Sequence, residues 1–266
     1  MVHLLRGRRS RCVRWLAAAF GLLLLTALPA AASGTYYSNS VGQTGYDLSN
    51  LAPRSPNAPG GCSSSYPPAP YAFGIVGVTG GRAFTQNACL ASDYAWAATN
   101  TMTPAAAYTA PSLYLNLNAA IGSTASQGAS GPYGTCKKGD RTCLAENYGW
   151  NAAEYAYNDA ASAHATSVMW WIDIETANSW WPQTALNDDV IQAAVAYLQQ
   201  PGQGVTVGIY SSPSQWQTIA GSYSPNLPNW VAEPSASCKA AQPLWNGGSV
   251  WLVQHATSTA DVDLAC

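Results

Sequence analysis

The chain has little charge, and little of it is positive. Only 9% of its 266 residues are charged. Five of the eleven basic residues lie within the first 14 positions, so the rest of the chain holds six basic residues against 13 acidic ones, a net charge of −7. The remaining basic cluster, Lys137-Lys138 with Arg141, lies in a polar loop. Because nucleic-acid binding needs a basic surface, the sequence predicts no nucleic-acid partner.

The chain after residue 34 also lacks any run of the roughly 20 apolar residues needed to cross a bilayer. The first residues instead combine arginines, a leucine-rich stretch over residues 16–25 and Ala30-Ala31-Ala32, the layout of a secretory signal peptide. We predict a signal peptide over residues 1–33, a single domain over residues 34–266, and a secreted monomer with no membrane segment after signal removal.

The sequence has no C-x-x-C motif and three histidines in all, which argues against a zinc site and predicts no cofactor. Cys12 falls in the predicted signal peptide, and the other six cysteines form an even set, typical of disulfides in an exported protein. Six cysteines allow 15 pairings. Sequence order alone weakly favours Cys62–Cys89, Cys136–Cys143 and Cys238–Cys266.

Apolar, β-prone runs alternate with helical or Pro/Gly-rich segments, the order typical of a parallel sheet covered by helices. Eight such runs are present, as many as a closed (β/α)8 barrel contains. We therefore predict an α/β fold with one irregular, TIM-like (β/α)8-type barrel whose loops are stapled by disulfides. The predicted strands are 45–49, 72–79, 112–118, 167–176, 205–211, 229–233, 250–254 and 262–264.

Three helices are predicted between these strands. One spans residues 89–100 and another 148–164, which is rich in alanine. The third begins with Asn187 as its N-cap, with Asp188 and Asp189 in its first turn, and ends before Pro201-Gly202.

Two carboxylates close a tryptophan-rich strand, as Asp173-Ile174-Glu175. Residues i and i+2 of a strand share a face, with Cα atoms roughly 6.6 Å apart. Such a pair can divide acid and electrostatic roles, although a D-x-E at a strand end can also simply cap the next element. The same alternation places Trp171 on the side of Asp173 and Glu175, and Trp170 on the other side.

Further polar and aromatic side chains lie at or near the ends of other predicted strands. In a (β/α) barrel, the carboxyl-terminal rim of the strands is where functional groups collect. Aromatic rings beside carboxylates and amides suit a sugar, so these residues are the candidate substrate-binding set. They are Asp47, Asn116, Asn118, Tyr210, Trp230, Glu233, Gln254 and Asp263.

At motif level, residues 45–266 resemble glycoside hydrolase family 25, the bacterial and phage muramidases. The matching segments, in order, are Asp47-Leu48-Ser49, 73–79, Asp173-Ile174-Glu175, 208–211, 230–232, and 251–254 with Val262-Asp263-Leu264. The chain departs from the family pattern at residues 115–118, in the spacing between Trp251 and Gln254, at Ala265, and in a cysteine-bearing insertion around residues 128–147.

The resemblance implies a glycosidase that acts on peptidoglycan or a related N-acetylated glycan. It implies that Glu175 is the general acid, and that Asp173 stabilises positive charge or orients an N-acetyl group of the substrate. Asp47 and Asp263 would line the floor or hold sugar hydroxyls, and Tyr210 would stack or donate a hydrogen bond.

Two other functions stay open at this point. A glycan-binding protein without turnover would use the same scaffold, because the departures touch residues that complete the family's site. A serine hydrolase would need His255 with Asp261 or Asp263 and a serine, but the sequence has no G-x-S-x-G motif.

Overall fold

A computed structural model of the chain describes residues 36–49, 62, 66–99, 101–257 and 260–266. The predicted signal peptide over residues 1–33 lies outside the described residues. Across the described ranges, no helix has both the length and the apolar character that a membrane span requires.

Eight strands close into a barrel, and each predicted strand is confirmed. Around the barrel the order is β1, β10, β9, β8, β7, β6, β3 and β2, with β2 pairing again with β1. A separate two-stranded hairpin is formed by β4 (Ser130–Gly131) and β5 (Gly134–Thr135). The barrel strands are β1 (Thr44–Leu48), β2 (Gly74–Gly77), β3 (Ser112–Asn116), β6 (Met169–Asp173), β7 (Thr206–Ser211), β8 (Pro228–Ala232), β9 (Ser249–Ala256) and β10 (Asp261–Ala265).

The direction of the last strand contradicts the prediction of a parallel sheet. β10 is antiparallel to both of its neighbours, β1 and β9, whereas the other neighbouring strands are parallel. Residues 257–260 alone join β9 to β10, and a parallel return needs a crossover of about a dozen residues. The first residue of β10, Asp261, therefore lies at the rim formed by the carboxyl ends of the other strands.

Four helices cover the barrel: α1 (Leu90–Ala97), α2 (Arg141–Ser162), α3 (Thr184–Leu198) and α4 (Pro213–Ala220). α2 begins seven residues before the predicted start at 148, because Asp140 accepts a hydrogen bond from the Cys143 N–H (3.1 Å) and caps the helix. α4 was not predicted. Its sequence signal is Ser212 followed by proline. Ser212 is the N-cap, because its hydroxyl accepts a hydrogen bond from the Gln215 N–H (3.3 Å), and Pro213 is the first helical residue.

Asn187 is not the N-cap of its helix, as the sequence predicted, but lies inside α3 and is fully buried. Its side chain accepts from the Trp181 N–H (3.0 Å) and donates to the carbonyl oxygens of Trp181 (2.9 Å) and Ile219 (2.8 Å). A buried amide needs such partners. Asn187 therefore ties the loop before α3 to the end of α4 instead of starting the helix.

The core has two layers of different composition. The barrel interior is mainly aromatic and contains Phe73, Trp171 and Trp230, while the layer between strands and helices combines aliphatic residues and the alanine-rich face of α2 with aromatic rings such as Trp170. Trp171 lies in the inner layer and Trp170 in the outer one, as strand alternation predicted. Gly208 makes room inside, because a Cβ there would overlap the Trp171 ring.

The three disulfides are confirmed with the pairing that sequence order favoured. The first joins the segment before β2 to the residue that precedes α1, the second joins the hairpin to the first turn of α2, and the third joins the β8–β9 loop to the residue after β10. They are Cys62–Cys89, Cys136–Cys143 and Cys238–Cys266.

Candidate active site

A pocket of about 320 Å³ opens at the rim where the parallel strands end. Seven of the ten residues predicted for the site line it, from strands on every side of the barrel. Because strand ends meet at this rim, residues far apart in sequence come together. The seven are Asp47, Asn116, Asp173, Glu175, Tyr210, Trp230 and Gln254.

Asp173 ends β6 and is 4% exposed. Its Oδ2 accepts a hydrogen bond from the amide of Asn116, and its Oδ1 has no hydrogen-bond partner within the described part of the chain. Burial raises the pKa of Asp173 well above its usual value, and the nearby charges of Glu175 and Asp47 raise it further. The pocket therefore contains a buried carboxyl of which one oxygen has no partner among the described residues.

Glu175 follows Asp173 into the same pocket and is half-buried. Burial raises the pKa of its carboxyl, a hydrogen bond from Gln215 opposes that rise, and the charge of Asp261 adds to it. The following turn is ordered, because Gln215 Oε1 accepts from the Thr176 N–H (2.6 Å) and Trp180 Nε1 donates to the Glu175 carbonyl (2.9 Å). Glu175 is thus a positioned carboxyl that holds a proton at higher pH than an exposed glutamate.

The opposite side of the pocket carries Asp47 from β1. Tyr210 donates its hydroxyl proton to Gln254 Oε1 (2.6 Å), and Gln254 Nε2 donates to Asp47 Oδ2 (2.7 Å). Burial raises the pKa of Asp47 to about 7, with Asp261 as the next contribution. The Tyr210–Gln254 chain partly opposes this effect by stabilising the ionised carboxylate.

Asp263 lies one layer deeper, fully buried beneath the pocket, and not at the rim where the sequence placed it. The reason is the direction of β10, which carries Asp263 into the barrel. Trp230 Nε1 donates to its Oδ1 (2.8 Å). Burial raises the pKa of Asp263 well above its usual value, and the charge of Asp47 raises it further. Asp263 therefore holds its proton to higher pH than an exposed aspartate, and its Oδ2 has no hydrogen-bond partner among the described residues.

Besides Asp263, two predicted binding residues lie outside this pocket. Asn118 is buried beyond the end of β3, where it accepts from the Ala83 N–H (3.1 Å) and donates to the Tyr148 hydroxyl (2.7 Å). Glu233 follows β8 out of phase with Trp230, and its carboxylate accepts from the Gln242 N–H (3.3 Å). Both shape the loops around the site.

The sequence reasoning missed six lining residues. Tyr114 and Ser49 each lie two positions from a predicted residue and so share its face. Asp261 also lies two positions from Asp263, but it reaches the rim only because β10 is reversed. The other missed residues come from loops after strands, and the full set is Ser49, Gly81, Tyr114, Ala177, Asn178 and Asp261.

The geometry supports neither a metal site nor a serine-hydrolase triad. Within the described ranges, no group of three or more His, Cys, Asp and Glu side chains is placed to hold a metal ion. His255 pairs with Val262 across β9 and β10, one position away from Gln254, so alternation turns it away from Asp261 and Asp263.

Comparison with known proteins finds similarity to lysozyme-like proteins. A family profile described as lysozyme-like protein 1 matches residues 142–242. A protein of Dictyostelium discoideum described as probable GH family 25 lysozyme 2 is 32% identical over 117 residues, covering 42% of this chain and 53% of that protein. Counting factor 50 of the same organism is 39% identical over 66 residues, 24% of this chain and 21% of that protein.

Among solved structures, a muramidase from Trichobolus zukalii is similar with a TM-score of 0.48 and 16% identity, covering 84% of this chain and 93% of that chain. The matched region thus spans about half or less of the length of the two Dictyostelium relatives. A lysozyme-like profile and a family 25 lysozyme each match part of this chain, in agreement with the distant motif-level resemblance to family 25.

Proposed function

We propose that this chain, which carries a lysozyme-like domain distantly related to glycoside hydrolase family 25, is a secreted glycosidase that cuts peptidoglycan or a related N-acetylated glycan. One observation carries the proposal. A half-buried, proton-holding Glu175 and a buried Asp173 with one unpartnered carboxyl oxygen among the described residues line the same rim pocket, two positions apart at the end of one strand.

Glu175 is the general acid. Its raised pKa keeps the carboxyl protonated at pH values where an exposed glutamate is ionised, as the protonation of a leaving oxygen requires. It gives this proton to the glycosidic oxygen as the bond to the anomeric carbon breaks. Water later attacks the same carbon, and the Glu175 carboxylate takes up a proton from that water, which restores the starting state.

Asp173 orients the substrate. An acetamido N–H that donates to its Oδ1 would satisfy the acceptor that has no partner among the described residues. The acetamido oxygen is then held toward the anomeric carbon, where it forms the bond that replaces the leaving group. Such substrate-assisted chemistry does not depend on the carboxyl separations that protein nucleophiles and bound water require.

The rest of the pocket suits a sugar ring. Tyr114, Tyr210 and Trp230 supply aromatic surface beside the carboxyls, and Gln254 supplies an amide. A pocket of about 320 Å³ is at the small end of the usual range for ligand sites, so it suits a single sugar unit of a longer chain. Secretion is supported by three disulfides and by the composition of the N-terminal segment.

The test incubates the secreted protein with purified peptidoglycan and with chitin-type oligomers, and identifies the products by reducing-end assay and mass spectrometry. We expect cleavage by the wild type and a fall in kcat of about 10³-fold for Glu175→Gln. Equal activity in both proteins would remove Glu175 from the chemistry. Tight binding with no product from the wild type would favour the glycan-binding function instead.

A further inference from the structure

A second cavity of about 530 Å³ adjoins the active-site pocket. The two share Gly81, Ala177 and Asn178 in their walls. We call this cavity the side groove; it is formed by the loops that follow β2, β3 and β6, three consecutive neighbours in the barrel. A polymer lying in the pocket would therefore extend into the side groove.

The two cavities differ in charge. The active-site pocket is lined by four carboxyl groups, whereas Arg82 is the one charged residue among those that line the side groove. The other polar groups of the groove are uncharged, including Thr85, Asn118 and Asn178. Arg82 attracts an anionic group of a substrate and the acidic pocket offers no such attraction, so the pair favours a substrate whose negative charge lies on the groove side.

The Arg82 backbone is held in a defined turn. Its carbonyl accepts a hydrogen bond from the Thr85 hydroxyl (2.6 Å), which in turn accepts from the Gly80 N–H (2.9 Å). The next residue, Ala83, donates its N–H to Asn118 Oδ1 (3.1 Å), which ties the turn to the end of β3. The base of the side chain is thus fixed relative to the catalytic rim.

The guanidinium group of Arg82 is not paired with a carboxylate of the described part of the chain. The side chain is exposed. Its charge reaches the groove, because it opposes the rise that burial causes in the pKa of Tyr148, whose hydroxyl is bonded to Asn118 and Thr124.

We propose that the side groove is a subsite for a carboxylate-bearing substituent of the glycan, and that Arg82 binds this carboxylate. The inference rests on the proposed function and adds a residue that selects among N-acetylated glycans. Guanidinium groups bind carboxylates through two parallel hydrogen bonds, so Arg82 provides geometry as well as charge. A neutral glycan of the same backbone gains nothing from this contact.

The test measures binding calorimetrically in the Glu175→Gln variant, with and without Arg82→Gln. Three soluble ligands are compared: peptidoglycan fragments with their peptides, the same strands after an amidase has removed the peptides, and N-acetylglucosamine oligomers of equal length. We expect Arg82→Gln to weaken binding of a carboxylate-bearing ligand about three- to tenfold, to leave the neutral oligomers unchanged, and to lose its effect as salt rises.

The matched control is Arg141→Gln, which makes the same change at an exposed position that lines neither cavity. A loss confined to peptide-bearing fragments assigns the carboxylate to the peptide, and a loss confined to the stripped strands assigns it to the sugar, whose carboxylate the amidase frees from the amide bond. The proposal is overturned if Arg82→Gln weakens the binding of all three ligands equally, if it weakens the binding of none, or if no ligand binds. Failure of the proposed function appears separately, as the absence of product from the wild type.

Discussion

On one side of the active-site pocket, Asp173 ends the parallel strand β6 and Glu175 follows it. On the other side, Asp47 lies on β1, and Asp261 and Asp263 lie on the reversed strand β10. We call these the β6 wall and the β1/β10 wall. Among the described residues, each wall has one buried carboxyl oxygen without a partner, Asp173 Oδ1 and Asp263 Oδ2, but the β1/β10 wall also places Asp47 in a chain of hydrogen bonds.

The difference lies in what each wall does with a proton. In the β1/β10 wall, burial raises the pKa of Asp263 well above its usual value and the charge of Asp47 raises it further, so the two carboxyls titrate as a pair. In the β6 wall, Glu175 is half-buried and able to exchange its proton with a ligand. The β6 wall is therefore arranged for chemistry, and the β1/β10 wall for holding a fixed charge and shape.

The largest expected effect is from Asp173→Asn in the β6 wall. We expect kcat to fall about 10²- to 10³-fold, because the orienting carboxyl is lost where charge develops. The melting temperature should be unchanged or higher, since a buried carboxyl with a raised pKa is replaced by a neutral isostere. Steady-state kinetics and calorimetry measure both, and Asp189→Asn on α3 is the control. Full activity in Asp173→Asn would contradict the division between the walls.

The next effect concerns stability and comes from Asp263→Asn in the β1/β10 wall. The folded-state pKa of Asp263 is raised by burial, so its contribution to folding is complete below its unfolded pKa, about 3.9. Above that value the free energy of unfolding declines by roughly 1.4 kcal/mol per pH unit until the folded pKa is reached. Asparagine mimics the protonated acid and keeps an acceptor for the Trp230 N–H.

Thermal unfolding followed at several pH values checks this linkage. The melting temperature of Asp263→Asn, relative to the wild type, should rise as the pH increases from about 4 to about 7. A constant difference across this range would show that Asp263 does not carry a trapped proton.

The smallest effect tests whether the two walls influence each other. Asp261 raises the pKa of Glu175, after burial and against the Gln215 hydrogen bond. Asp261→Asn should therefore move the alkaline limb of the kcat profile to lower pH, because Glu175 loses its proton more easily. The measurement is a pH-rate profile at low salt, with Glu154→Gln on α2 as the control. A limb that does not move would mean that the walls act independently.

The strands were predictable from the sequence, but their directions were not all read correctly. Each buried strand is a short apolar run bounded by breakers, and this pattern is the same for either direction. The signal for the reversal of β10 was the distance: four residues between Ala256 and Asp261 cannot form a parallel crossover. The helix after Ser212 was missed in a similar way, although serine followed by proline is a helix-start pattern.

For the site, nearness to a strand end was too coarse a criterion. Glu233 lies one residue beyond the end of β8, and its carboxylate binds the Gln242 N–H instead of entering the pocket. Asn118 lies two residues after Asn116, but β3 ends at Asn116 and the alternation no longer applies beyond it. Loop residues such as Gly81 and Asn178 follow no periodic pattern, so only the folded chain brings them to the pocket.

The aromatic interior closes the barrel beneath the active-site pocket, because Phe73, Trp171 and Trp230 are buried there in one packed cluster. Substrate therefore enters and product leaves at the rim where the parallel strands end. Asp263 is fully buried on the inner side of that pocket, so a bound sugar would slow the exchange of its proton with bulk solvent.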